Sequence, residues 1–338
     1  MKPQRPIDKI SVLGAGSWGT ALAILLARNG IQTLMWGFES DHVARLQVDR
    51  CNEQYLPGVT FPKLLSVTND LQQAVHFAPD TLIVVPSHGF RSVLQQSAAA
   101  FTGNHRIVWA TKGLDLETSQ FLHQVCEAEL PASIETAVLS GPTFANEVAK
   151  GLPTAVTIAS NHEHYAHEMA DCFYNETFRV YTTDDMISVQ LGGAVKNVLA
   201  IAAGISDGLG FGANSRSALI TRGLAEMCRL GSVLGGKKET FMGLAGLGDL
   251  VLTCTDNQSR NRRCGLLLAK GADITQAMAE IGQVVEGYVT AKSVFQLAQK
   301  HQVEMPITEQ TYRVLYENKS PMDAVKSLFA RELKSEYL

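Results

Sequence analysis

A glycine-rich hexapeptide leaves this chain little conformational choice near its start. Gly14-Ala15-Gly16-Ser17-Trp18-Gly19 follows a β-branched apolar run, Lys9 to Leu13, and leads directly into a small-residue helical segment, Thr20 to Ala27. A strand that turns this tightly into a helix lying on its own face belongs to sheets built from strand–helix crossovers. In that setting Gly14 makes the turn, Gly16 lets the backbone approach a pyrophosphate, and Gly19 lets helix and strand pack closely. The amides that open the helix are then donors for phosphate oxygens. The bare glycine spacing is common, and a purely structural turn competes with this reading. The preceding strand, the following helix and the N-terminal position make the pattern specific.

The rest of the first half continues the alternation. Further apolar runs fall at Ile31 to Trp36, Thr81 to Pro86, Arg106 to Ala110, Thr136 to Leu139, Ala155 to Ala159 and Phe178 to Tyr181, separated by helical patterns. This predicts an α/β fold with a Rossmann-like, doubly wound sheet of parallel strands. From about Met186 onward helical periodicity takes over, at Val189 to Gly204, Ser217 to Leu230, around Asp249, Arg260 to Lys270, Thr290 to Lys300 and in two terminal helices. A dinucleotide-binding domain at 1–187 and an all-helical substrate-binding domain at 188–338 suit a length of 338 residues. No Pro/Ser-rich linker separates them, which predicts a tight interface. Ser320, Pro321 and Asp323 announce the last helix as N-cap, first position and first-turn acid. Gly204 to Gly212 is expected to interrupt the helices as a glycine-rich loop.

Bulk properties exclude several classes. A net charge of −4, with 46% hydrophobic and 18% charged residues, describes an ordinary folded chain without global attraction for nucleic acid or an anionic membrane. Met1 to Asp8 lacks the apolar core of a signal peptide, and no run is expected to reach the ~20 apolar residues that span a bilayer. A cytoplasmic location follows as an expectation, with Cys51, Cys126, Cys172, Cys228, Cys254 and Cys264 reduced and mostly packed. His162, His164 and His167 fit a solvated polar segment better than a metal site.

Chemistry is expected where the strands end and where charge is misplaced. Lys196 lies in Val189 to Gly204, apolar enough for burial on every side, with Gly192 and Gly193 one turn before it and Ala200 one turn after. A buried lysine has its pKa pushed down toward the range useful for proton exchange, while a lysine snorkelling along a helix end is the alternative. Ligands in such sheets lie beyond the carboxyl ends of the strands, which selects Pro86-Ser87-His88, Thr111-Lys112-Gly113 and Ser140 to Ala145. Lys112 brings a cation there. Ser259 caps a helix whose first turn holds Arg260, Arg262 and Arg263, a set that opposes the helix dipole unless an anion neutralises it; a solvated basic face is the other reading. Asp249, in a glycine-rich apolar setting, is a candidate to bond a substrate hydroxyl or orient Lys196, or else caps Leu250 to Cys254. Past the second strand, Glu39 would meet a ribose 2′-hydroxyl and favour NAD, whereas Ser40 or Arg45 would meet a 2′-phosphate.

Six ordered segments together carry a resemblance. Gly14 to Ala21, Ala110 to Leu114, Ser140 to Ala145, Gln190 to Asn197, Gly246 to Asp249 with Ser259 to Arg262, and Val285 to Gly287 are similar to bacterial NAD(P)-dependent glycerol-3-phosphate dehydrogenases. The resemblance implies a Rossmann domain, a helical domain like the C-terminal domain of 6-phosphogluconate dehydrogenase, and reversible reduction of dihydroxyacetone phosphate to sn-glycerol 3-phosphate for phospholipid synthesis. It implies Lys196 as proton donor and acceptor. Lys112, Gly141, Thr143, Asp249, Ser259, Arg260 and Asn261 would contact substrate. Gly14, Gly16, Ser17, Trp18, Gly19, Phe38, Lys112, Ala145, Arg260, Val284 and Glu286 would contact NAD or NADP, Phe38 standing where relatives often carry a polar residue. A homodimer is expected from the apolar helical domain. Competing expectations are a related hydroxy-acid dehydrogenase, whose arginines would grip a carboxylate, and a non-catalytic dinucleotide sensor.

Overall fold

The computed structural model describes residues 7–101, 104–332 and 335–336, so that the first six residues of the opening segment lie outside it. Strands are β1 (Lys9–Leu13), β2 (Gln32–Trp36), β3 (Cys51–Asn52), β4 (Leu56–Thr60), β5 (Leu65–Thr68), β6 (Asp80–Ile83), β7 (Arg106–Trp109), β8 (Glu135–Ser140), β9 (Thr154–Ser160) and β10 (Phe178–Thr183). Among them run α1 (Ser17–Arg28), α2 (Ser40–Asp49), α3 (Leu71–Phe77), α4 (Ser87–Ser97), α5 (Leu122–Glu129), α6 (Ala145–Ala149) and α7 (Glu163–Phe173). After Thr183 only helices follow: α8 (Met186–Gly208), α9 (Ala213–Val233), α10 (Lys238–Phe241), a π-helical turn Leu244–Gly248, α11 (Asp249–Thr255), α12 (Arg260–Ala269), α13 (Ile274–Ile281), α14 (Glu286–Lys300), α15 (Pro306–Tyr316) and α16 (Pro321–Phe329).

Every expected apolar run forms a strand of one sheet, ordered β10-β9-β8-β7-β6-β1-β2-β5. Six of its pairings are parallel, but β9 runs antiparallel to β8, and this corrects the expectation of an all-parallel sheet. Between Ser140 and Thr154 the chain holds only the short α6, too little to carry it over the sheet, so it returns alongside; α7 then gives β9 and β10 a parallel crossover. Edge strand β5 and the β3–β4 ribbon carried no long apolar run and were not expected. The sheet buries β1 almost completely, with α1 contributing an uninterrupted buried stretch from Gly19 to Ala27.

The centre of the helical half is α8, and it departs from expectation at both ends. It spans 23 residues at mean hydropathy 1.4, so one segment does reach membrane-spanning length and apolarity; 94% of that window lies buried inside the protein. Asp185 caps it, its carboxylate accepting from the Ser188 amide at 2.9 Å. Gly204 belongs to the helix and not to a loop. A Cβ there would lie 2.0 Å from the Arg262 carbonyl oxygen, and one on Gly265 would lie 2.0 Å from that of Ile201. The backbones of α8 and α12 therefore touch where they cross, and the loop shrinks to residues 209–212. At the chain's end Ser320 caps α16 as expected, accepting from the Asp323 amide at 3.1 Å.

Candidate active site

A cleft of about 1200 Å³ runs along the carboxyl ends of β1, β2, β6 and β7 and is closed on its far side by α8, α12 and the start of α14. Its floor at one end is the glycine turn. Gly14 has φ +126° and faces the Val84 carbonyl, and a Cβ on Gly19 would sit 1.9 Å from the Gly14 oxygen, so both positions exclude any side chain. Gly16 differs: nothing lies within 4 Å of where its Cβ would be, and that open space faces the cleft. No acidic residue and no side-chain cap occupies the start of α1, whose amides are left for an external acceptor. Trp18 lines the cleft with a buried Nε1 that has no hydrogen-bond partner. A turn that admits backbone but no side chain, uncapped helix amides and an orphaned indole donor fit a dinucleotide.

At the other end three charges meet. Lys196 is 8% exposed and donates to Asp249 Oδ1 at 2.9 Å and Thr253 Oγ1 at 2.9 Å. Lys112 donates to the other carboxylate oxygen at 2.6 Å and to the Gly141 carbonyl at 2.8 Å. Asp249, 1% exposed, thus bridges an ammonium from each half of the chain. Burial works against the Asp249 charge, but the two ammoniums outweigh it and hold its carboxyl below the usual value. For Lys112 burial wins: desolvation, aided by the Lys196 charge and opposed by Asp249, pulls it down to about 8. The glycine face beside Lys196 is not vacant. Backbone at Ala245 fills the space at Gly192, and Ser140 with the Lys112 stem fills it at Gly193.

The start of α12 forms the third wall. Ser259 caps it, accepting from the Arg262 amide at 3.2 Å. Arg260 lines the cleft and donates to Gln283 Oε1 at 3.3 Å; burial lowers its pKa from 12.5, against the pull of Glu286. Arg263 lines the cleft as well, but Arg262 does not. Its guanidinium turns inward to Asp207, the Cys254 carbonyl and Asn257, fastening α12 to α8, so the basic first turn offers two arginines and not three. Asn261 donates to Asn197 Oδ1 at 2.8 Å and accepts from the Gly287 amide at 2.9 Å, which ties α12, α8 and α14 together. Glu286 reaches across to the first domain, accepting from Ser87 Oγ at 2.8 Å, and burial raises its pKa.

Of the residues expected from sequence, Gly14, Gly16, Ser17, Trp18, Phe38, Lys112, Thr143, Ala145, Lys196, Ser259, Arg260, Asn261, Val284 and Glu286 line this one cleft. Gly19, Gly141 and Asp249 do not; they stand behind it and shape it. Sequence reasoning missed Thr253 and Asn197. The first lies one helical turn after Asp249 and the second directly follows Lys196, spacings that could have found them. His164 pairs with Glu135, and among the described residues no group of three or more His, Cys, Asp or Glu side chains gathers as a metal site.

A sheet with a dinucleotide cradle, faced by a helical domain that presents a buried lysine and cations for an anion, defines a two-domain nucleotide-dependent oxidoreductase. Comparison narrows the class. Residues 9–166 match the model of the NAD-dependent glycerol-3-phosphate dehydrogenase N-terminus, and residues 185–326 that of its C-terminus. A glycerol-3-phosphate dehydrogenase (NAD(P)+) of Shewanella amazonensis is 57% identical over 328 residues, covering 97% of each chain. That of Aeromonas hydrophila is 58% identical, over 97% of this chain and 98% of its own. The crystal structure of the glycerol-3-phosphate dehydrogenase of Coxiella burnetii superposes with a TM-score of 0.94 at 52% identity, over 96% of this chain and 99% of its own. The chain belongs to the NAD-dependent glycerol-3-phosphate dehydrogenase family.

Proposed function

We propose that this protein catalyses the reversible, NAD(P)H-dependent reduction of dihydroxyacetone phosphate to sn-glycerol 3-phosphate, with Lys196 as the general acid and base. The reading rests on one observation above all, the Lys196–Asp249–Lys112 bridge at the wall of the cleft. NAD or NADP, held over Gly16 and the start of α1, supplies the hydride that the carbonyl carbon takes up. An ammonium has three donors, and Asp249 and Thr253 engage two of those on Lys196, leaving one for the substrate. That N–H polarises the ketone oxygen and delivers its proton to the alkoxide; in the reverse direction the amine removes the hydroxyl proton. Thr253 donates its own hydroxyl to the Asp249 carbonyl at 2.6 Å, so its lone pairs face Lys196 and fix the amine's position. Arg260, the amides that open α12 and Lys112 bind the phosphate. Asn261 holds Asn197 and α14 in register beside it.

The same reading places the enzyme in the cytoplasm, where free cysteines persist, and assigns its product to the backbone of glycerophospholipids. It takes the working unit to be a homodimer, formed through apolar side chains that the helical half leaves exposed, such as Val233, Met242 and Phe329. Loss of NADH or NADPH absorbance on adding dihydroxyacetone phosphate tests the activity. Turnover should fall sharply with unphosphorylated dihydroxyacetone. Equal rates with both ketones would reject a phosphate site at α12.

A further inference from the structure

The wall of the cleft beyond β2 has a charge pattern that separates the two coenzymes. We infer that this protein discriminates in favour of NADH over NADPH, with Glu39 as the residue that sets the preference. The inference rests on the proposed function, because it takes this end of the cleft to receive the adenosine ribose.

Strand β2 ends at Trp36, and the cleft wall continues through Gly37, Phe38 and Glu39 before α2 begins at Ser40. In sheets of this kind a carboxylate at the tip of the second strand accepts from the ribose 2′-hydroxyl, and a 2′-phosphate needs a cation in its place. Glu39 lines the cleft in an extended conformation, φ −85° and ψ 114°, as the residue before the first turn of α2. The alternatives left by sequence are occupied elsewhere. Ser40 Oγ accepts from the Asn69 side chain at 3.2 Å, Arg45 donates to Gln54 Oε1 at 3.1 Å, and neither lines the cleft.

No other cation replaces them. The lining lysines and arginines are Lys112, Lys196, Arg260 and Arg263. Lys112 follows β7, separated from β2 by β6 and β1, and the rest belong to α8 and α12. Opposite Glu39 the segment Tyr55-Leu56-Pro57 presents aromatic and apolar surface, and the one basic ring on that side, His42, is buried against Asn52. Phe38 is 81% exposed with its ring edge-on to Trp36, a flat apolar surface on which an adenine can lie. A 2′-phosphate would therefore bring added negative charge to Glu39 without a counter-ion. A 2′-hydroxyl would instead donate one charge-assisted hydrogen bond.

Equilibrium binding tests this without turnover. NADH and NADPH are titrated into the full chain while nicotinamide fluorescence is followed, first in the wild type and then in Glu39→Ser and in the double variant Phe38→Arg with Glu39→Ser. The wild type should bind NADH roughly tenfold or more tightly than NADPH, the gap narrowing as salt screens the repulsion. Glu39→Ser should reduce the ratio of dissociation constants, and the double variant should invert it. Equal or tighter NADPH binding by the wild type, or an unchanged ratio in Glu39→Ser, overturns the inference and leaves the proposed function standing. Failure of both coenzymes to bind overturns the proposed function and the inference with it.

Discussion

Replacing Asp249 by Asn keeps the shape of the bridge and removes its charge. The structure sets the size of the effect: one carboxylate, 1% exposed, holds Lys112 at 2.6 Å and Lys196 at 2.9 Å. Removing one partner of a buried ion pair typically costs ~3–5 kcal/mol. Two ammoniums would be left facing each other, but Lys112 already sits at about 8 and can relieve the repulsion by giving up its proton. We therefore expect a loss of ~3 kcal/mol at pH 6, equivalent to ~6–12 °C in the melting temperature of a chain this long. The pH dependence follows from linkage. In the wild type folded and unfolded Lys112 are both protonated below about 8, so stability is flat there with respect to this group. In the variant its folded pKa is lower still, and the unfolded chain binds the extra proton as pH rises. The variant thus regains about 1.4 kcal/mol for each pH unit between its own Lys112 pKa and that of the wild type. Thermal unfolding of both proteins at pH 6 and pH 9 measures this. A displacement of the same size at both pH values, or one within ~2 °C at pH 6, would refute the account of Asp249 as the counter-charge of two lysines.

Three further outcomes are expected. Arg260→Ala should raise the KM for dihydroxyacetone phosphate far more than it lowers kcat, as steady-state kinetics would show; an unchanged KM would place the phosphate elsewhere. Gly16→Val should abolish coenzyme binding with little change in melting temperature, because its Cβ meets nothing within 4 Å, whereas Gly19→Ala should destabilise the fold, its Cβ falling 1.9 Å from a carbonyl oxygen. Coenzyme titration with thermal unfolding separates the pair, and equal destabilisation by both would contradict the open cradle. Finally, the KM for the phosphorylated substrate should climb as pH passes about 8 and Lys112 loses its charge. Lys112→Met should show a high KM without that break, and a break retained in the variant would assign it to another group.

Local signals carried much of this molecule and long-range ones did not. Each expected run became a strand because β-branched apolar segments of that length have few other ways to be buried among helices. The reversal at β9 was hidden, since direction depends on whether the link after β8 can cross the sheet, and the helical signal of Ala145–Ala149 says nothing about reach. Gly204 looked like loop material because a helix interior seldom keeps glycine; what keeps it is the backbone of α12, 58 residues further on by the numbering of Arg262. The same long-range contact explains Arg262. Its place in the basic first turn suggested an anion ligand, while its partner Asp207 lay in the supposed loop. Lys196 was conspicuous as a charge in an apolar helix, and Lys112 as a strand-end cation. That one carboxylate would join them across the two halves of the chain was open, because Asp249 had several roles available until the fold brought its two oxygens to two amines.

The central claim is that the Lys196 amine moves the proton. Lys196→Ala keeps Asp249 paired with Lys112, so the cleft should retain its coenzyme affinity. Its kcat for dihydroxyacetone phosphate should fall at least ~10²-fold, and added methylamine should restore part of the rate in proportion to the amine concentration. Turnover at the wild-type rate in Lys196→Ala, with coenzyme binding intact, would contradict the account.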